Sequence, residues 1–283
     1  MRCMNDPRTG PRISNVWLAV ILLFGLAAAA QENQVFSYPV GRKAIISITN
    51  NYGPITVKPS ASRQVSVTTV SHSDAIRFVN SQRGDRIDLR VEGDRPGTNL
   101  ADYTVLVPSD AFISLRSSDG NLAVQGLSGD VVLETMTASV QVSGIRDAHL
   151  HVGTLGGPIS LTDIRRSHLE VRSVSGNVDI HNVTESSVEV NSGRGRITYE
   201  GDPGSAGEYL LTSHSGDLDV SIPASAPVEI KSRTIEGEAD QGFGAANHPP
   251  TISQKNGLLK PGIVSASRFV LRSFRGKIRL KRP

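Results

Sequence analysis

The sequence predicts an all-β protein: a parallel β-solenoid (β-helix or β-roll) of about 19-residue coils with an N-terminal β-meander cap. Three observations carry that expectation. A pattern apolar-x-apolar-x-Ser/Thr-x-x-Gly-x-apolar-x-apolar recurs along the chain. Its glycine returns at nearly constant intervals. Glycine is abundant (27 residues) and aromatics are scarce (5%), a composition that favours short strands and tight turns over long helices.

The repeat glycine falls at Gly53, Gly120, Gly157, Gly176, Gly195, Gly216, Gly237 and Gly276, with Ala138 in its place once. From Gly120 the steps are 18, 19, 19, 19, 21, 21 and 39 residues. Such regularity suits the turns of a solenoid better than strands joined by variable loops. Apolar pairs keep fixed offsets on both sides, as in Leu169 and Val171 before Gly176 and Val178 and Ile180 after it. Each pair alternates with mostly polar residues, so each is a short strand with one buried face. One coil cannot bury that face alone. Stacking places Val131, Leu150, Leu169 and Val188 in one internal row, with parallel pairing at about 4.8 Å per rung. Leu127, Ile145, Ile164 and Val183 follow at a further constant offset and are expected to plug the third side.

A second column runs three residues before the glycine: Ser117, Thr135, Thr154, Ser173, Ser192, Ser213, Thr234 and Ser273, with Asn50 in the earliest copy. These hydroxyls are expected to satisfy turn backbone groups between rungs. A row of nucleophiles is the poorer account, because no histidine and acid recur beside it.

Three segments are expected. Residues 1–30 read as a signal peptide: Arg2, Arg8 and Arg12 precede the apolar run Val16–Ala30, and Ala28-Ala29-Ala30 fits a cleavage site before Gln31. The run is short for a spanning helix, so no stable membrane span is expected after cleavage. Residues 31–110 form the N-terminal β cap with one outlying repeat at Gly53. Residues 111–283 form the solenoid repeats, interrupted by a loop insertion at 240–266 that holds Pro249, Pro250 and Pro261. The basic last copy, Phe269 to Leu280, is expected to close the far end.

Charge and cysteine content narrow the function. Loss of the leader takes the net charge from +3 to +1, and export argues against nucleic acid as the partner. Cys3 is the only cysteine, which leaves no disulfide and no thiolate metal site after cleavage.

The string of copies resembles the bacterial "putative adhesin" family of exported proteins. Val105-Leu106-Val107-Pro108 leads into Ser117-Ser118-Asp119-Gly120-Asn121-Leu122-Ala123-Val124, and Ser173-Val174-Ser175-Gly176-Asn177-Val178-Asp179-Ile180 fits equally well. The resemblance runs from about Ala44 to Leu280. It implies a parallel β-solenoid of adhesin-like character and carries no catalytic residues.

Several other groups of polar residues have simple structural explanations. His149 and His168 share one offset, with His151 and Glu170 in the adjacent column; a solvated polar face accounts for them better than a metal does. Asp179 and Asp219 share another offset two rungs apart, about 9.6 Å, with Asp240 one coil further. Sugar-cleaving carboxylates lie at such distances, yet any acidic solenoid face offers similar pairs. Glu134 and Glu189 also face outward. Arg83-Gly84-Asp85 falls where a hairpin turn is expected, and the sequon Asn182-Val183-Thr184 places Val183 in the internal row.

The expectation is therefore an exported, non-catalytic binding or scaffold protein, a monomer in the periplasm, at the cell surface or outside the cell. Its solenoid faces would meet an envelope protein or a glycan. No catalytic, cofactor or metal residues are assigned and no cofactor is expected. The alternatives are a polysaccharide-active β-helix enzyme and an envelope sensor. Scarce exposed aromatics weigh against the enzyme and temper glycan binding.

Overall fold

Alternating apolar and polar residues turn each copy of the repeat into two short strands, one for each of two facing sheets. The structure, a computed structural model, describes residues 32–72, 76–93, 100–241 and 266–283. Among these, sheet 1 has twelve strands and sheet 2 has eleven. Residues 1–30, expected to be a signal peptide, and most of the expected 240–266 insertion, with Pro249, Pro250 and Pro261, lie outside the described residues.

Ten coils follow from the strand order, each with one strand in sheet 2 and one in sheet 1. In spatial order, coil 1 is Arg86–Gly93 with Ala101–Pro108, and coil 2 is Ile45–Thr49 with Ile55–Ser60. Coil 3 is Phe112–Ser117 with Leu122–Gln125, and coil 4 is Val131–Thr135 with Val140–Ser143. Coil 5 is His149–Thr154 with Ile159–Arg165, and coil 6 is His168–Ser173 with Val178–Thr184. Coil 7 is Ser187–Ser192 with Ile197–Glu200, and coil 8 is Glu208–Ser213 with Leu218–Ser221. Coil 9 is Ser267–Ser273 with Ile278–Lys281, and coil 10 is Val228–Thr234 with Ala239–Gln241. Three further strands flank coil 1: Glu32–Pro39 and Gln64–Ser71 on sheet 1, and Ile76–Arg83 on sheet 2.

Pairing from coil to coil is parallel and in register. Val131 pairs with Leu150, Leu150 with Leu169, and Leu169 with Val188. These residues are buried, as are Leu127, Ile145, Ile164 and Val183 on the third side, and all belong to one continuous core. The third side turns through left-handed backbone at the position just before that plug, as at Asp163 (φ 55°) and Asn182 (φ 53°). The core thickens at coils 7 to 9, where Tyr199, Tyr209 and Phe269 pack ring against ring. Both tyrosine hydroxyls donate to the Val183 carbonyl, at 3.0 and 2.9 Å. Burial pushes the Tyr209 hydroxyl up to about 12.

The hydroxyl column acts mostly within its own turn and not between rungs. Ser117, Thr154 and Ser213 each accept the backbone N–H of the repeat glycine three residues on, at 2.9, 2.9 and 2.8 Å. Ser173 and Ser192 instead donate to the carbonyl of that glycine. Glycine is required by close approach. A Cβ on Gly120 would stand 1.8 Å from the Gly53 carbonyl oxygen, and one on Gly176 would stand 2.0 Å from that of Gly157.

Coil order departs from chain order at both ends. Coil 2 precedes coil 1 in the chain, and the outlying copy at Gly53 lies directly against the Gly120 copy. At the other end the Phe269–Leu280 copy does not close the solenoid. It inserts between coils 8 and 10, pairing with Glu208–Ser213 on one side and Val228–Thr234 on the other. In-register apolar rows explain why this works: Tyr209, Phe269 and Ile230 align in one column irrespective of chain order. In the cap, only Ile76–Arg83 and Arg86–Gly93 form a hairpin in sequence order. Among the described residues no helix is long and apolar enough to cross a membrane.

Candidate functional site

On a solenoid every position of the repeat becomes a column, so a surface site is read by columns. On the outer side of sheet 2 the position four residues before the glycine carries Glu134, Gly153, Arg172, Asn191, Thr212, Arg272 and Arg233 in spatial order. Two residues further on, in the turn, the column reads Met136, Leu155, Val174, Gly193, His214, Phe274 and Ile235. Consecutive members from Met136 to Phe274 follow the rung hydrogen bonds, as Leu155 N–H does to the Thr135 carbonyl.

The turn column is apolar yet exposed. Met136, Leu155, Val174 and Ile235 are 52%, 52%, 49% and 63% exposed. Core packing does not account for a run of large apolar side chains in one solvent-facing line. Such continuity is a mark of interaction surfaces. Between the two columns runs an open trough of about 810 Å³, reaching from Glu134 in coil 4 to Ile235 in coil 10. That volume suits a ligand cleft, whose usual range is about 300–1,000 Å³. Six rung steps make the trough about 29 Å long.

Two glycines shape it. Gly193 interrupts the apolar wall, and a Cβ there would meet the Val174 carbonyl at 2.5 Å, so the fold itself demands glycine. Gly153 differs: a Cβ there would meet nothing within 4 Å. The trough is left bare at Gly153 although the backbone does not require it.

Charge is uneven along the polar wall. Glu134 is paired to Arg116 at 2.8 Å. Glu170, beside the trough, is held by His151 at 3.2 Å and by Arg172. The His151 hydrogen bond and the Arg172 charge hold the Glu170 carboxyl below the usual carboxylate range. Arg272 and Arg233 are direct rung neighbours. Neither has an acidic partner among the described residues. Ser273 Oγ, in the floor beside Arg272, is buried without a hydrogen-bond partner. His214 stacks on Phe274, with centroids 5.1 Å apart and planes 6° apart, and Arg275 lies over the Phe274 ring at 5.5 Å. His214 is exposed and Phe274 half-buried, so the pair offers one partly open stacking face on a surface expected to have few.

The sequence-level candidates fall elsewhere or lie at the margin. His149 and His168 are rung neighbours, with rings 5.8 Å apart, and His149 Nδ1 lies 3.2 Å from Asp130. Among the described residues no three histidine, cysteine or acidic side chains converge to hold a metal. Asp179 and Asp219 lie two rungs apart, across Thr198. Asp219 is bound by Arg279 at 2.9 Å and approached by Arg196 at 3.5 Å. Asp240 is not the rung next to Asp219, because the inserted coil 9 places Arg279 between them. Asp85 of Arg83-Gly84-Asp85 caps the hairpin turn and accepts the Gly41 N–H at 2.7 Å. Asn182 is used in a ladder, donating to Asp163 at 3.2 Å, and Val183 is buried.

The trough itself escapes the sequence reading. Its apolar wall is the first x of Ser/Thr-x-x-Gly, which reads as generic turn. Met136, Leu155, Val174, Ile235 and Phe274 at that one offset are the signal that was available.

Comparison places this architecture among known proteins. Residues 44–259 match the Toastrack DUF4097 family, and the chain belongs to that family. No curated protein matches it. Among solved structures it is similar to a "putative cell adhesion protein" of Clostridium sporogenes, at 10% identity and a TM-score of 0.25, covering 89% of this chain and 100% of that one. It is also similar to a "putative adhesin" of Bacteroides fragilis, at 12% identity and a TM-score of 0.36, covering 87% and 98%.

Proposed function

We propose that this protein is a non-catalytic binding scaffold, exported to the cell envelope, that holds a partner in the sheet 2 trough. The apolar wall carries the reading: four large side chains stand half exposed in one line beside a cleft of ligand size. Extended solenoid faces are natural binding surfaces, since each rung repeats the contacts of the last. Asp219, one member of the carboxylate pair a hydrolase would need, is engaged by Arg279, and Glu170 is engaged by His151. Export rests on residues 1–30, whose charged start, apolar run and alanine triplet have the form of a leader. The proposed arrangement is a leader at 1–30, a segment 31–110 that holds the flanking strands with coils 1 and 2, and a segment 111–283 that holds coils 3 to 10.

The test is sedimentation of purified protein with isolated cell envelopes, for the native chain and a Leu155→Asp/Val174→Asp variant. Native protein should co-sediment and the variant should stay in the supernatant with an unchanged circular dichroism spectrum. Equal sedimentation of both would contradict the trough as the binding face. Protein recovered from the producing cells should begin near Gln31; recovery of Met1 in the exported fraction would contradict cleavage.

A further inference from the structure

We infer that the trough takes a linear acidic polysaccharide of the uronic-acid class, seated along the solenoid axis with its carboxylates toward Arg272 and Arg233. The inference rests on the binding reading above and adds the chemistry of the ligand.

The walls give the first argument. One wall is apolar, through Leu155, Val174 and Ile235; the other is polar or charged, through Arg172, Asn191 and Thr212. A pyranose chain has the same division, with apolar ring faces and a rim of hydroxyls. An extended peptide fits poorly. Each of its residues brings an N–H and a C=O that need partners. Peptides laid along sheets find those partners at a free edge. The trough lies on the face of sheet 2, where strand backbone groups are used in the coil-to-coil ladders.

Charge gives the second. Like charges directly opposite in neighbouring strands oppose folding. Arg272 and Arg233 are such a pair, with no acid among the described residues to separate them. Of the acids nearest the trough, Glu134 and Glu170 have cations, and Glu189, two rungs from Arg272, accepts a hydrogen bond from Asn191 at 2.9 Å. A ligand carboxylate between the two guanidiniums would relieve the repulsion through charge-assisted hydrogen bonds. Ser273 Oγ, buried without a partner next to Arg272, supplies a neutral group at the same place.

Spacing and stacking give the third. Equivalent positions recur once per rung, at about 4.8 Å, across seven coils. Sugars in a linear polymer recur at a comparable interval, whereas an extended peptide advances only about 3.3 Å per residue. One face of His214 is covered by Phe274, and the next position on its other side is Gly193, which has no side chain. That gap is one side chain wide and admits a ring against the imidazole.

The experiment is calorimetric titration of the full chain with linear oligomers of galacturonate, mannuronate and glucuronate, with their methyl esters, and with oligoglutamate. At least one uronate series should bind, and its neutral ester should bind about tenfold or more weakly, the scale of a lost charged hydrogen bond. An Arg272→Ala/Arg233→Ala variant should lose the same factor, while Arg268→Ala, outside the trough, should not. Binding of no uronate series would overturn the inference. So would oligoglutamate binding as well as the uronates, or a double alanine variant that binds like the native chain. Envelope binding that persists and still depends on Leu155 and Val174 would then leave the scaffold reading standing without this ligand.

Discussion

The two ends of the solenoid meet one problem differently. Each ends on a coil taken out of chain order. At the N-terminal end, coil 1 is covered further by antiparallel strands: Gln64–Ser71 pairs with Ala101–Pro108, and Glu32–Pro39 pairs with Gln64–Ser71. Val65 and Val67 are completely buried there. At the C-terminal end, coil 10 has a neighbour on one side only among the described residues. Ile230 is half-buried, although its column partners Phe269 and Tyr209 are buried. The outward positions of that edge strand are Glu229, Lys231 and Arg233. Charges on an exposed strand discourage addition of another chain. One end is thus closed by added strands and the other by charge, and stability should decline from the middle coils toward coil 10.

Substitutions along the axis can break that comparison. Leu169→Ala in coil 6 should cost about 2–5 kcal/mol, because the cavity is enclosed by coils on both sides. Ile230→Ala in coil 10 should cost about 1 kcal/mol, since the side chain is already partly solvated. Denaturant midpoints measure both, and equal losses would remove the distinction. Gly176→Ala should cost about 3 kcal/mol, because the new methyl meets backbone on a fixed rung. Gly153→Ala should change stability by less than about 0.5 kcal/mol and yet weaken envelope binding, which would mark that glycine as kept for the trough.

Asp217 ties coil 8 to the inserted coil. It accepts the Lys277 N–H at 3.0 Å and pairs with Arg279 at 3.0 Å, and these contacts hold its carboxyl below the usual range. Asp217→Asn should cost about 1–2 kcal/mol. A depressed carboxylate stabilises the fold above its unfolded pKa, near 4, and that contribution is lost as pH falls through the lower folded value. Thermal melts from pH 6 to 2 should therefore show a smaller acid-induced decline in the variant than in the native chain.

Much of this fold was legible because a solenoid writes its register into the sequence. The glycine column and its flanking apolar pairs place Leu150 against Leu169 without knowledge of the chain's path. Coil order at the ends was not legible, because any copy with the same offsets can stack on any other. The long steps from Gly53 to Gly120 and from Gly237 to Gly276 were the only hints. The trough was hidden for another reason. Exposure distinguishes Val174 from Val171, and exposure is a property of the turn's geometry, not of the residue.

Coil order also builds the trough, since Phe274 of coil 9 reaches His214 of coil 8 only if coil 9 lies beside it. Paired cysteines test that order directly. In a Cys3→Ser background, Thr212→Cys with Arg272→Cys joins adjacent rungs, about 4.8 Å apart and within disulfide reach. Thr212→Cys with Arg233→Cys spans two rungs, about 9.6 Å and beyond it. Mild oxidation should close the first pair and leave the second reduced. Closure of the second pair with the first left open would place coil 10 directly on coil 8 and contradict the inserted coil.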